Sequence, residues 1–131
     1  MKEFNEHCEE WEEINQRFSF LPEYGINAAV LAFPFARSAG IGEARFEEII
    51  DGSEPDIEEI EILKWTCDIG FKVIDALTTK DITDRFEKAN EAMGSAAKYI
   101  DRKTAEEAMH LTVKAMRDFF NEGEKAEKGK K

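Results

Sequence analysis

Along residues 56–77 the apolar side chains recur at Ile57, Ile60, Leu63, Cys67, Phe71, Ile74 and Leu77. Steps of three and four put them on one face of a helix. Ile62, Trp65, Ile69 and Val73 widen that face. A helix apolar over so much of its circumference is normally enclosed by other helices. Its start is marked as well. Asp56 is placed to cap the first turn, Glu59 follows three residues later as in a capping box, and Pro55 stops the chain upstream. The pattern predicts one long central helix around which the rest is organised.

Upstream, residues 2–18 read as an amphipathic helix. Phe4, Cys8, Trp11, Ile14 or Asn15, and Phe18 form its seam, and Glu3, Glu6, Glu9, Glu10, Glu12 and Glu13 cover the remainder. Residues 23–38 are the most apolar stretch, with small side chains at Gly25, Ala28, Ala29 and Ala32 that would let another helix approach closely. Pro34 lies inside it and removes a backbone donor, so a kink or break is expected near Phe33. Gly40 and Gly42 lead into a short helix over 43–50 with Phe46, Ile49 and Ile50 inward, and DGSEP makes the clearest turn.

Downstream, Thr79 or Asp81 opens a helix to about Ile100, with Ile82, Phe86, Ala89, Met93, Ala96 or Ala97, and Ile100 at heptad-like positions. It should pack antiparallel to the central helix. Asp101 or Thr104 caps the last helix, Thr104 with Glu107 matching a capping box, and Gly123 reads as its stop. The expected architecture is an all-α, single-domain bundle of five to six helices over residues 1–122, with a charged flexible tail over 123–131. Trp65, Phe71, Ile74, Phe86, Met93, Leu111 and Phe119 are the expected core.

Composition changes this picture in two ways. Cys8 and Cys67 both fall on apolar faces, which points to buried reduced thiols. No signal peptide and no membrane-length apolar run is apparent, so a cytoplasmic protein is expected. The net charge of -11 is unevenly spread. Residues 1–61 hold 4 Lys/Arg against 16 Asp/Glu, and residues 62–131 hold 14 against 13. The first half therefore repels polyanions and the second need not. A free-standing nucleic-acid binder normally shows a basic patch. The balance leaves room for a subunit that meets nucleic acid only inside a larger basic assembly.

The candidate chemistry is sparse. Glu107 and His110 form one E-x-x-H, whereas a di-iron bundle needs two plus further carboxylates. His7 and Cys8 lack the partners of a structural zinc site. No metal or other cofactor is therefore expected. Glu58 and Glu61 are compatible with the magnesium cluster of an all-helical nucleotide hydrolase, which needs converging carboxylates. A solvated acidic face explains the same residues. GIGE lies between helices and not after a strand, so it fails as a phosphate loop. No Ser-His-Asp or Cys-His arrangement can be built, and no enzymatic activity is expected.

Lys98, Arg102 and Lys103 cluster where the last two helices join, and Lys64 and Lys72 lie two turns apart on the central helix. Beside Asp68, Asp75, Asp84 and Glu91 they read either as ion-pairing surface residues or as a shallow phosphate-tracking face on the neutral half.

The C-terminal two-thirds, from FARSAGIGEARFEEIID through YIDRKTAEEAMHLTVKAMRDFF, resembles the small all-helical subunit of archaeal type I-A CRISPR surveillance (Cascade) complexes. The likeness rests on size, helix order and the VIDAL and IDRKTAEEAM segments. It implies a non-enzymatic, structural role in antiviral defence. Several copies would line the complex beside the crRNA backbone, contact the large subunit and one another, and help hold the target heteroduplex and displaced strand. No binding residue carries over from a family motif, so Lys64, Lys72, Lys98, Arg102 and Lys103 rest on charge alone. The acidic first half suits docking on basic protein neighbours. Two other readings stand beside this one: the metal-dependent hydrolase using Glu58 and Glu61, and an acidic inhibitor or adaptor that docks on a basic partner.

Overall fold

The computed structural model describes the backbone of residues 9–129 and the side chains of residues 12–121. The fold is an all-α, single-domain bundle with seven helices and no strand among the described residues. Phe4, Cys8 and Trp11, expected in the first seam, lie outside the described side chains. The two later seam residues, Ile14 and Phe18, are buried.

The helix count exceeds the expected five to six because the most apolar stretch is cut in two. Helix α1 is Glu9–Arg17, α2 is Gly25–Leu31 and α3 is Phe33–Ala39. Pro34 occupies the first turn of α3, where its missing N–H costs nothing, and Ala32 serves as the joint between the two helices. Helix α4 is Glu43–Ile50, and its carbonyls at Ile49 and Ile50 accept hydrogen bonds from the Arg17 guanidinium. A cation at that end also meets the negative pole of the helix.

Helix α5 (Ile57–Thr78) is the central one, and the expected capping box is formed. Glu59 N–H donates to Asp56 Oδ1 at 2.8 Å, and Asp56 N–H donates to Glu59 Oε1 at 3.0 Å. Arg45 closes the turn before it by donating to both Glu59 oxygens, at 2.7 and 2.8 Å, and to the Glu54 carbonyl at 3.0 Å. The guanidinium holds the Glu59 carboxyl below its ordinary range.

Two apolar clusters lie on opposite sides of α5. Leu63 and Cys67 pack with residues of α1 to α4, among them Ile14, Ile26, Phe46 and Ile49. Trp65, Ile69 and Val73 pack with Phe35 of α3 and with the later helices. Close approach of α2 to α5 is possible because small residues meet there. A Cβ on Gly70 would lie 2.6 Å from the Ala28 carbonyl oxygen, and one on Gly25 would lie 2.9 Å from Cys67 Sγ. Both pairings step forward together, so α2 runs in the same sense as α5.

Helix α6 (Ile82–Ala96) is capped by Asp81, which accepts from Asp84 N–H at 3.0 Å, and α7 (Arg102–Gly129) begins where Asp101 accepts from Thr104 N–H at 2.8 Å. Thr104 is therefore inside α7 and not its cap. Trp65 meets Ser95, and Asp75 meets Lys88, so α6 returns antiparallel to α5 as expected.

Three expectations fail here. Phe86 is 68% exposed and Leu111 is 41% exposed. The closest packing of α6 is through Ala92 and Ala96, near its C-terminal end, and its first turns carry Ile82 and Phe86 on the outside. Gly123 does not stop α7, which continues to Gly129. Of the other expected core residues, Trp65 is buried, while Phe71, Ile74, Met93 and Phe119 are half-buried. No helix among the described residues is long and apolar enough to cross a membrane.

Candidate nucleic-acid interface

The antiparallel return of α6 leaves a groove of about 390 Å³ beside the middle of α5. Lys64 reaches it from α5, one turn after Glu61 and one turn before Asp68. Lys98 reaches it from the turn that follows α6, together with Tyr99. Three residues fix this turn against α5. Trp65 Nε1 donates to the Ser95 carbonyl at 2.8 Å. Lys72 Nζ donates to Ser95 Oγ at 2.8 Å. The Trp65 and Tyr99 rings meet edge to face with centroids 5.0 Å apart. Trp65 is buried, and its partner Tyr99 stays 41% exposed.

The five cations expected to track a strand are thus sorted by the fold. Lys64 and Lys98, far apart in the chain, share the groove. Lys98 Nζ also sits 5.5 Å from the centre of the Tyr99 ring. Lys72 borders the same region, but its ammonium is already held by Ser95 and by Asp68 Oδ2 at 2.9 Å. Arg102 pairs with Glu106 at 3.2 Å in an exposed contact one turn along α7. Lys103 lines a different hollow, with Glu106, Glu107 and His110. The expected junction cluster of Lys98, Arg102 and Lys103 is therefore divided.

Tyr99 is the residue that charge alone does not reveal. Its position in Lys98-Tyr99-Ile100-Asp101-Arg102-Lys103, an aromatic set inside a basic run, was the available signal. Two ammonium groups and an exposed aromatic ring can take a phosphate and the face of a base. Glu61 and Asp68 on the same groove balance Lys64 and Lys98, so its lining is formally neutral.

The carboxylates weighed for metal-dependent hydrolysis are arranged otherwise. Glu58 and Glu61 are exposed, and Glu61 lies in the groove beside Lys64. Glu59 between them is turned to Arg45. Among the described residues, no group of three or more His, Cys, Asp or Glu is placed to hold a metal ion. His7 and Cys8 lie outside the described residues, and His110 is exposed. Cys67 is buried, and burial pushes its thiol up to about 11.

Fold and surface together define an all-α bundle with a groove lined by two lysines, two carboxylates and an exposed aromatic ring. No family model, no curated protein and no solved structure matches the chain.

Proposed function

We propose that the chain is a non-enzymatic helical subunit of a multiprotein, CRISPR-type nucleic-acid surveillance complex. It bridges larger protein subunits, and it contacts crRNA or DNA only within the assembly. The resemblance of its C-terminal two-thirds to the small subunit of archaeal type I-A complexes motivates the reading. The observation that carries it is the convergence of Lys64 and Lys98 with the exposed ring of Tyr99 in one groove on the neutral half of the chain. The acidic half serves as the face that meets basic protein neighbours, and the cytoplasm is the compartment this role requires.

The test uses the assembled complex. Each phosphate contact on a single strand contributes about 0.7 to the slope of log affinity against log salt, and each on a duplex about 0.9. Changing Lys64→Ala and Lys98→Ala together should weaken target binding and lower that slope by about 1.4–1.8. Changing Arg102→Ala and Lys103→Ala should do less, because Arg102 is paired with Glu106 and Lys103 faces another hollow. Unchanged affinity and slope in the first variant, with the subunit still incorporated, would refute the strand-contacting role.

A further inference from the structure

Residues 82–87, at the start of α6, are all exposed. Ile82 and Phe86 among them are 67% and 68% exposed. Four positions apart, they lie on one side of the helix. Asn90, Met93 and the C-cap residue Ala97 continue that side. Asn90 and Ala97 are exposed, and Met93 is half-buried. None of the charged residues of α6, which are Asp84, Arg85, Glu87, Lys88 and Glu91, shares this face. In a chain that is 36% charged, an open helix face without charge stands apart. Depletion of charge marks the centre of a protein interface.

The charge pattern narrows what covers it. A nucleic acid is held by cations, and this face has none. A basic protein is held by carboxylates, which lie elsewhere on α6 and over the first half of the chain. The face fits a surface as uncharged as itself, and it is complementary to its own copy. Its apolar positions step by four from Ile82 to Phe86, by seven to Met93 and by four to Ala97. That spacing reads alike in both directions. Laid antiparallel on a second α6, Ile82 meets Ala97 and Phe86 meets Met93. Asn90 then lies beside the two-fold axis, next to its symmetry mate. An amide there can both donate and accept, whereas a charge would meet its like. Each copy carries a net charge of -11, so two copies repel least where neither presents a carboxylate.

We infer that this face seats a second copy of the chain, α6 against α6, about a two-fold axis near Ala89 and Asn90. The pairing goes beyond the strand-contacting role and uses neither Lys64 nor Lys98. A helix of 15 residues is about 22 Å long and about 10 Å across. One such face is smaller than the roughly 800 Å² per partner of a standard interface, so the pair is weak and reversible.

The test is sedimentation velocity of the full chain without nucleic acid, from about 10 μM to about 1 mM, the range of a weak contact. The chain should pass from monomer to dimer. Phe86→Glu should weaken the dimer at least tenfold. Its helical circular dichroism should stay superimposable, because Phe86 is open to solvent in the single chain. Leu111→Glu, at an apolar position of α7 that is 41% exposed and outside the face, should leave the dimer unchanged. In a Cys8→Ser background, Asn90→Cys should form a disulfide-linked dimer under mild oxidation. Thr83→Cys should not, because antiparallel pairing sets its two copies about 20 Å apart along the helix. A chain that stays monomeric throughout, equal dimerisation of Phe86→Glu, or equal linking at Thr83 and Asn90 would overturn the inference. A monomeric chain whose Phe86→Glu variant fails to enter the assembled complex would assign the face to a larger subunit instead. No nucleic acid is present, so failure here leaves the strand-contacting role standing. Failure of the Lys64 and Lys98 variants likewise leaves this pairing standing.

Discussion

Cys67 shows how one residue's chemistry follows from its place. It faces Gly25 across the α2–α5 contact, with almost none of its surface open, and burial raises the thiol to about 11. The thiolate is the reactive form, so at pH 8 the group should be protected both sterically and by protonation. In a Cys8→Ser background, labelling by a thiol-specific disulfide reagent at pH 8 should be slow and should follow global unfolding. Rapid labelling under native conditions would show that α2 lifts readily from α5. Thr66 and Thr112 give a second expectation. Both are buried with hydroxyls that find no partner among the described residues. An unpaired buried hydroxyl costs free energy that a methyl group does not. Thr66→Val should therefore leave stability unchanged or raise it. A loss above about 1 kcal/mol in urea denaturation would reveal a hydrogen bond to that hydroxyl.

At the level of elements, the two glycines of α5 and α6 make opposite cases. At Gly70 an added Cβ would meet the Ala28 carbonyl oxygen at 2.6 Å. Gly70→Ala should push α2 away and cost about 1–3 kcal/mol, despite the better helix propensity of alanine. Gly94 has nothing within 4 Å of the same position. Gly94→Ala should stabilise α6 by about 0.5–1 kcal/mol. If thermal denaturation gave both changes the same sign, the α2–α5 contact would not be as close as described.

The joint between α4 and α5 should answer to pH. Arg45 holds Glu59 below its ordinary value of 4.5, with backbone hydrogen bonding at Asp56 adding to the effect. A carboxyl lowered in the folded state stabilises fully above its unfolded pKa, and the gain is lost as pH falls through the folded one. Glu59→Gln, which keeps the capping shape, should be less stable than the parent at pH 7. That difference should shrink as pH falls below about 4.5. A difference that stays constant from pH 7 to pH 3 would mean the charge is not what Arg45 recognises.

On the scale of the molecule, α5 divides the core, and the chain divides its charge. One apolar cluster joins α5 to the helices before it, and the other joins it to α3 and to the helices after it. With a net -12 on residues 1–61, the isolated chain should bind single-stranded DNA weakly at physiological salt. An affinity no better than the nonspecific range of about 10⁻⁴–10⁻⁶ M is expected. Nanomolar binding by the isolated chain in a polarisation assay would show that the acidic half does not oppose a strand and that the assembly is not needed.

Periodicity settled the helices, the central place of α5, its capping box and the break at Pro34, because each depends on residues close in sequence. It also marked the small-residue face of α2, since glycine and alanine spacing is a local signal of close approach. Tertiary structure alone decided which half of each apolar stripe is covered. Phe86 and Leu111 carry the same spacing signal as buried neighbours, but α6 closes on the bundle through Ala92 and Ala96 and leaves its first turns outside, and α7 turns Ala105, Ala108, Thr112 and Met116 inward and leaves Leu111 at the edge of that face. It also decided which cations meet. Lys98, Arg102 and Lys103 are near in sequence, but the cap at Asp101 starts a new helix between the first and the other two. Lys64 and Lys98, 34 positions apart by their numbers, share a groove because Trp65 and Lys72 hold Ser95 against α5. Helix formation is a local free-energy balance that the order of residues carries, whereas the convergence of distant side chains depends on how the packed helices cross.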